Sequence, residues 1–162
     1  MLKGEDILNT VQFSLKELDL IMNTAVSFEK QVKDGAIIRN MEGQVVAILF
    51  FEPSTRTCLS FESAANRLGA RVITVLNPDS TSMAKGESLA DTIRTVDGYA
   101  DLIVIRHPMK GSVQIAANNA KHPIINAGNG DGQHPTQALL DIYTIRRKKG
   151  LWEDRQLLLW EI

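Results

Sequence analysis

The stretch Val45-Val46-Ala47-Ile48-Leu49-Phe50-Phe51-Glu52-Pro53-Ser54-Thr55-Arg56-Thr57 decides how the rest of the chain reads. Its apolar run, Val45 to Phe51, has the length and continuity of a strand buried on both faces, and Pro53 breaks it before an amphipathic segment begins. A strand that turns into a helix in this way leaves a row of backbone N–H groups unpaired. With the helix dipole behind them, those donors form an anion site. Ser54, Thr55 and Thr57 each add a hydroxyl, and Arg56 can fork onto two oxygens of a phosphate. Ser and Thr are also ordinary helix caps. A cap accounts for one hydroxyl, however, not for three beside an arginine.

The same alternation of periods continues outward. Short apolar runs recur at Val72–Leu76, Leu102–Ile105, Ile124–Ile125 and Leu157–Trp160. Helical patterns fill the gaps at Thr57–Leu68, Ser88–Val96, Ser112–Ala120 and Pro135–Lys149. Gly69 and Gly150 stop two of these helices, and Pro135 stands at the first turn of the last. Ahead of them, Ser14 and Glu17 form a capping box, with Phe13 placed to staple onto Leu18. Leu15, Leu18, Ile21, Met22, Ala25 and Phe28 then recur on one helix face until Gly35. Apolar strands alternating with helices predict an α/β fold, a doubly wound parallel sheet of four to five strands with helices on both faces. The reading treats residues 1–162 as one domain, with the N-terminal helix as an extra layer.

In open parallel sheets, ligands bind where the loops leave the carboxyl ends of the strands. The unusual polar residues of this chain fall there. The first strand is followed by Ser54 to Thr57, the second by the long loop Asn77 to Glu87 with Ser82 and Lys85. The third is followed by Arg106-His107-Pro108, and the fourth by Gly128-Asn129-Gly130-Asp131-Gly132-Gln133-His134-Pro135-Thr136-Gln137. His134 and Gln137 sit one helical turn apart and can face one ligand. Taken alone, Arg106 and Lys85 read equally as solvated charges, His107 as structural and His122 as a surface residue. The glycines match neither the dinucleotide fingerprint nor a P-loop. The three histidines and Cys58 lack metal-ligand spacing, so no metal and no cofactor is expected.

Eighteen Lys and Arg against nineteen Asp and Glu give a formal charge of −1, which argues against nucleic acid or an anionic membrane as the partner. A chain of 162 residues buries about 70% of its unfolded surface, enough for one core. A single cysteine excludes an intrachain disulfide, and no apolar run reaches bilayer length. The N-terminus, Met1 to Asp6, lacks the apolar core of a signal peptide. A soluble, cytoplasmic protein is expected.

With these residues in view, the chain resembles the N-terminal half of the catalytic chains of the aspartate carbamoyltransferase family. The resemblance runs from about Phe13 to Gly150. It rests on Phe50 to Thr57, on Lys85-Gly86-Glu87-Ser88-Leu89-Ala90-Asp91-Thr92, on Arg106-His107-Pro108 and on His134-Pro135-Thr136-Gln137-Ala138-Leu139-Leu140-Asp141. Thr136 and Thr55 favour the aspartate branch over the related ornithine enzymes. The resemblance implies carbamoyl transfer from carbamoyl phosphate to the amino group of L-aspartate, in pyrimidine biosynthesis. Ser54, Thr55, Arg56 and Thr57 would hold the phosphate, and Arg106 would bridge phosphate and carbonyl. Thr55, Arg106 and His134 would polarise the carbamoyl oxygen, with Gln137 accepting from the carbamoyl nitrogen. Arg56, Thr57, Arg106 and His134 would be the catalytic set.

It further implies a homotrimer in which Ser82 and Lys85 serve a neighbouring subunit, and it leaves room for a regulatory chain as partner. Cys58 stands where the family's loop ends in arginine. One residue past the phosphate turn, it is expected to alter local packing or charge more than ligand contact, with some thiolate character beside Arg56 at a helix N-terminus as the alternative. The family's second, aspartate-binding domain has no counterpart in these 162 residues, so the L-aspartate site is expected to be largely missing. A non-catalytic carbamoyl-phosphate-binding or assembly subunit therefore stands beside the enzyme as an alternative.

Overall fold

The computed structural model describes residues 4–76 and 82–149. The strand expected at Leu157–Trp160 and the stop at Gly150 lie outside them. The order along the chain is α1 (Leu15–Lys33), β1 (Val45–Phe50), α2 (Thr55–Arg67), β2 (Arg71–Val75), a 3₁₀ turn (Ser82–Lys85), α3 (Leu89–Asp97), β3 (Leu102–Arg106), α4 (Ser112–Asn119), β4 (Ile124–Asn126) and α5 (Pro135–Lys149).

The strands form one sheet in the order β2-β1-β3-β4, with every pair parallel. Leu49 stands in register with Val75 on one side and Ile105 on the other. Side chains alternate across the pleat, so Ala47, Leu49 and Phe51 enter a core with Leu89 and Ile93 of α3 and Val113 and Ala116 of α4. Val46, Ile48 and Phe50 point the other way, onto Cys58 and Ala65 of α2. Burial on both faces is why β1 reads as an unbroken apolar run. The expected doubly wound α/β class is the one observed.

From β1 the chain steps outward to β2, then returns past β1 to build β3 and β4. The direction of winding therefore reverses between β1 and β3. The crevice beyond their carboxyl ends is where such sheets take ligands. The turn after β1 and Arg106 at the end of β3 both lie there.

Local chemistry explains the boundaries. Ser14 accepts from the Glu17 amide while the Glu17 carboxylate accepts from the Ser14 amide and hydroxyl, the box read from sequence. Gly69, at φ 84°, takes the left-handed position after the α2 cap, and Ala70 N–H closes the turn onto Ala65 O. Two features depart from the sequence reading. Leu15, assigned to the inner face of α1, is 81% exposed, and only Met22 of that face is fully buried. A fifth sheet contact comes from Ile7, which pairs in parallel with Ile125 at the β4 edge. Its N–H donates to Ile124 O, and its carbonyl accepts from Asn126 N–H.

Candidate functional site

Ser54 occupies the N-cap of α2 at φ −159° and ψ 88°, and its side chain makes no capping bond. The capping explanation therefore does not use this hydroxyl, which remains available to a ligand along with the unpaired N–H groups of the first turn. Ser54, Thr55, Arg56 and Thr57 line one wall of a cleft of about 840 Å³. Arg106, His134, Thr136 and Gln137 line the same cleft. The structure thus brings together eight residues from three separate segments.

Arg106 is 18% exposed in its side chain and is gripped from behind. Nη2 donates to Glu52 Oε1 at 3.0 Å, and Nη1 donates to Ala127 O at 3.1 Å. Its Nε is buried with no protein acceptor, as is the second carboxylate oxygen of Glu52 with no donor. An anion entering the cleft meets a guanidinium already oriented and only partly neutralised. Gly128 makes room for it: at φ 118°, a Cβ there would lie 2.6 Å from Arg106 Nη1. Only glycine suits both the conformation and the contact.

His134 precedes α5 and its carbonyl accepts from the Gln137 and Ala138 amides. Burial, and then the Arg106 charge, hold its imidazole below the ordinary value, so the ring is neutral near pH 7. Thr136 Oγ1 lies 3.3 Å from Nδ1. When that hydroxyl donates, the ring proton sits on Nε2 and can be given to a ligand oxygen. Gln137 is exposed at the rim and donates to Asp141.

Other sequence candidates fall elsewhere. Lys85 ends the 3₁₀ turn as an exposed side chain and does not line the cleft, and the Ser82 side chain is outside the described residues. His107 is structural: its Nδ1 accepts the Met109 amide, and its ring meets Phe51 edge-on at 5.4 Å. His122, read as a surface residue, has its ring 3.1 Å from the buried Asp97. Cys58 is buried, and burial followed by the Glu62 charge pushes its thiol up, which decides against the thiolate alternative. Among the described residues, no cluster of His, Cys, Asp and Glu is arranged to hold a metal, and no helix is long and apolar enough to cross a membrane. Glu52 and Asn126 were not singled out from sequence, because their roles are contacts with distant segments. The glycines from Gly128 to Gly132 were read as allowing close approach, without showing that the Arg106 guanidinium is what approaches Gly128. Glu52 lay inside the decisive stretch and was the one with a signal to follow: an acid beside a buried-strand end needs a cation partner.

Comparison with known proteins agrees with this geometry. The family model for the aspartate/ornithine carbamoyltransferase carbamoyl-P binding domain matches residues 5–147. The aspartate carbamoyltransferase catalytic subunit of Thermococcus gammatolerans is 51% identical over 147 residues, covering 91% of this chain and 48% of that protein. That of Picrophilus torridus is 49% identical over 150 residues, covering 93% and 49%. Aspartate transcarbamoylase from Trypanosoma cruzi, solved with carbamoyl phosphate and aspartate, superposes with a TM-score of 0.88 at 43% identity, covering 93% of this chain and 46% of that one. The chain spans about half the length of the curated relatives it matches.

Proposed function

The chain belongs to the aspartate/ornithine carbamoyltransferase family through its carbamoyl-phosphate-binding domain, and from that membership we propose that its cleft binds carbamoyl phosphate and presents the carbamoyl group to the amine of L-aspartate. The observation that carries this reading is the convergence of the Ser54–Thr57 turn, Arg106 and His134 on one cleft. The hydroxyls and N–H groups of the turn, with Arg56, take the phosphate oxygens. Arg106 spans phosphate and carbamoyl oxygen, and Thr55 and His134 donate to that same oxygen.

As the amine attacks the carbonyl carbon, the carbonyl oxygen gains charge, and donors already in place lower the barrier. Loss of one such donor costs about 100- to 1000-fold in rate. A neutral His134 suits this role, since it donates without adding a charge beside Arg106. The C–O bond to phosphate then breaks, the proton of the attacking nitrogen passes to the leaving phosphate oxygen, and Arg56 neutralises the departing hydrogen phosphate dianion. No covalent intermediate is required, because holding both reactants in line supplies much of the rate.

The same reading makes the assembly a homotrimer in the cytoplasm, with Ser82 and Lys85 of a neighbouring copy completing each site and a regulatory chain as a further partner. An exposed apolar rim supports it. Leu59 and Leu76 border a hollow that also touches Ser54 and Thr55, so a neighbour seated there would reach the phosphate turn. The test is product formation from carbamoyl phosphate and L-aspartate. Mixing Lys85→Ala with His134→Ala chains should restore turnover that each lacks alone, because some mixed sites keep both groups. Failure of mixed chains to exceed either parent would contradict the shared site.

A further inference from the structure

Asn126 is fully buried, yet its polar side chain uses both amide protons and one lone pair of its carbonyl oxygen. Its Oδ1 accepts the Gly128 amide at 2.8 Å. Its two amide protons go to Leu8 O at 2.8 Å and Gln133 O at 3.1 Å. These partners belong to three places: the start of the loop after β4, the end of that loop, and the N-terminal segment laid along the β4 edge. Gly128 is the residue whose missing side chain admits the Arg106 guanidinium, and Gln133 immediately precedes His134. Beside this contact, Thr10 N–H donates to Gln133 Oε1 at 2.9 Å.

We infer that Asn126 is a positioning residue that clamps both ends of the 127–134 loop, and so sets the placement of Arg106 and His134 relative to one another. The inference deepens the reading of the cleft as a carbamoyl-phosphate site and rests on it. The physical reason is economy of geometry. The 127–134 loop is eight residues long and has little apolar anchorage of its own, with Gly128, Gly130 and Gly132 in it. A glycine-rich loop is entropically free unless tied. One buried carboxamide ties it at Gly128 and at Gln133, and its third bond, to Leu8 O, fastens it to the N-terminal segment next to the Ile7 bridge. A buried amide of this kind resists exchange for an apolar group, because three backbone partners would be left unpaired.

The test separates positioning from mere support of the fold. Asn126→Ser and Asn126→Asp are prepared in the full chain and compared with the unaltered protein by NMR titration of the His134 ring and by calorimetry with carbamoyl phosphate. Loosening the clamp moves the imidazole away from Arg106 and toward water, so His134 should titrate at higher pH than in the parent, and carbamoyl-phosphate affinity should fall about tenfold. A variant that melts earlier but keeps the parent His134 titration and the parent affinity would overturn the inference. If neither variant folds, the unaltered protein decides it. The side-chain amide protons of Asn126 should exchange as slowly as the β3 amides and should shift together with His134 when carbamoyl phosphate is added; exchange at the rate of an exposed amide would overturn the clamp. A parent protein that binds no carbamoyl phosphate would defeat the ligand assignment alone, since the His134 comparison does not depend on it.

Discussion

Arg106 carries the heaviest burden of any single residue, because its guanidinium must be held without being neutralised. Glu52 and the Ala127 carbonyl fix two of its nitrogens, and Nε is left over. Glu52→Gln should keep the hydrogen bond while removing the charge, whereas Glu52→Ala should free the guanidinium. Calorimetry is then expected to show the alanine variant binding carbamoyl phosphate about tenfold more weakly, and equal affinity for the alanine variant and parent would deny Glu52 this role. Gly128→Ala should lower both melting temperature and carbamoyl-phosphate affinity, since φ 118° strains a residue with a Cβ and its methyl group meets the Arg106 guanidinium.

His134 and His107 make a pH prediction with a definite sign. Burial comes first in lowering both, so each is harder to protonate in the folded chain than in the unfolded one. The unfolded state then binds more protons below the ordinary value of 6.5, and stability falls as pH drops through 6.5 toward the lower folded values. Melting temperature should hold steady above that window with respect to these groups and decline within it. His107→Gln, if folded, should flatten part of the decline; an unchanged slope would assign the effect elsewhere. The hydroxyls, Arg56 and Arg106 were legible in the sequence because they follow strand ends, and His134 because it precedes Pro135 at a helix start with Gln137 one turn on. Glu52 and Asn126 were not, because their meaning depends on which guanidinium or carbonyl the fold brings alongside, and for Gly128 the close approach was legible but its partner was not.

Among the elements, the strand ends and helix caps were set by local chemistry and could be read directly. Ser88 illustrates it: its side chain accepts the Asp91 amide and opens α3 where the pattern predicted a helix start. The far end of α3 shows what local reading misses. Asp97 is buried and receives the amides of Lys121 and His122 and approaches the His122 ring, joining α3 to the segment that feeds β4. Burial pushes its carboxyl up, but the His122 and Lys121 amide bonds and the His122 ring outweigh that, and it lies below its ordinary value. Asp97→Ala should leave two buried amides unpaired and cost about 2 kcal/mol, read as a shift in urea midpoint. A loss below a few tenths would mean that water replaces the carboxylate. The Ile7 contact was equally invisible, since a one-residue bridge has no period to detect. Leu15 obeyed the helical period without being buried, because period states which residues share a face and not what covers it.

For the whole molecule, parallel winding explains why distant segments share a site. Each strand delivers its following loop to the same edge of the sheet, and the reversal between β1 and β3 opens the crevice there. The same architecture leaves Ile73, Leu76 and Leu59 exposed around the β2 edge, an apolar margin suited to a neighbouring copy. Leu59→Asp should lower the sedimentation coefficient of the assembly while leaving circular dichroism unchanged. A monomeric parent would remove the basis for sharing Lys85.

The central claim is that one cleft of this chain is shaped for a small, doubly charged acyl phosphate. Calorimetric titration of the protein with carbamoyl phosphate tests it most directly, with Arg56→Ala as the paired variant. One saturable site per chain is predicted in the parent, weakened about 100-fold in the variant through loss of a charge-assisted bidentate bond. No binding by the parent, or equal affinity in both proteins, would contradict it.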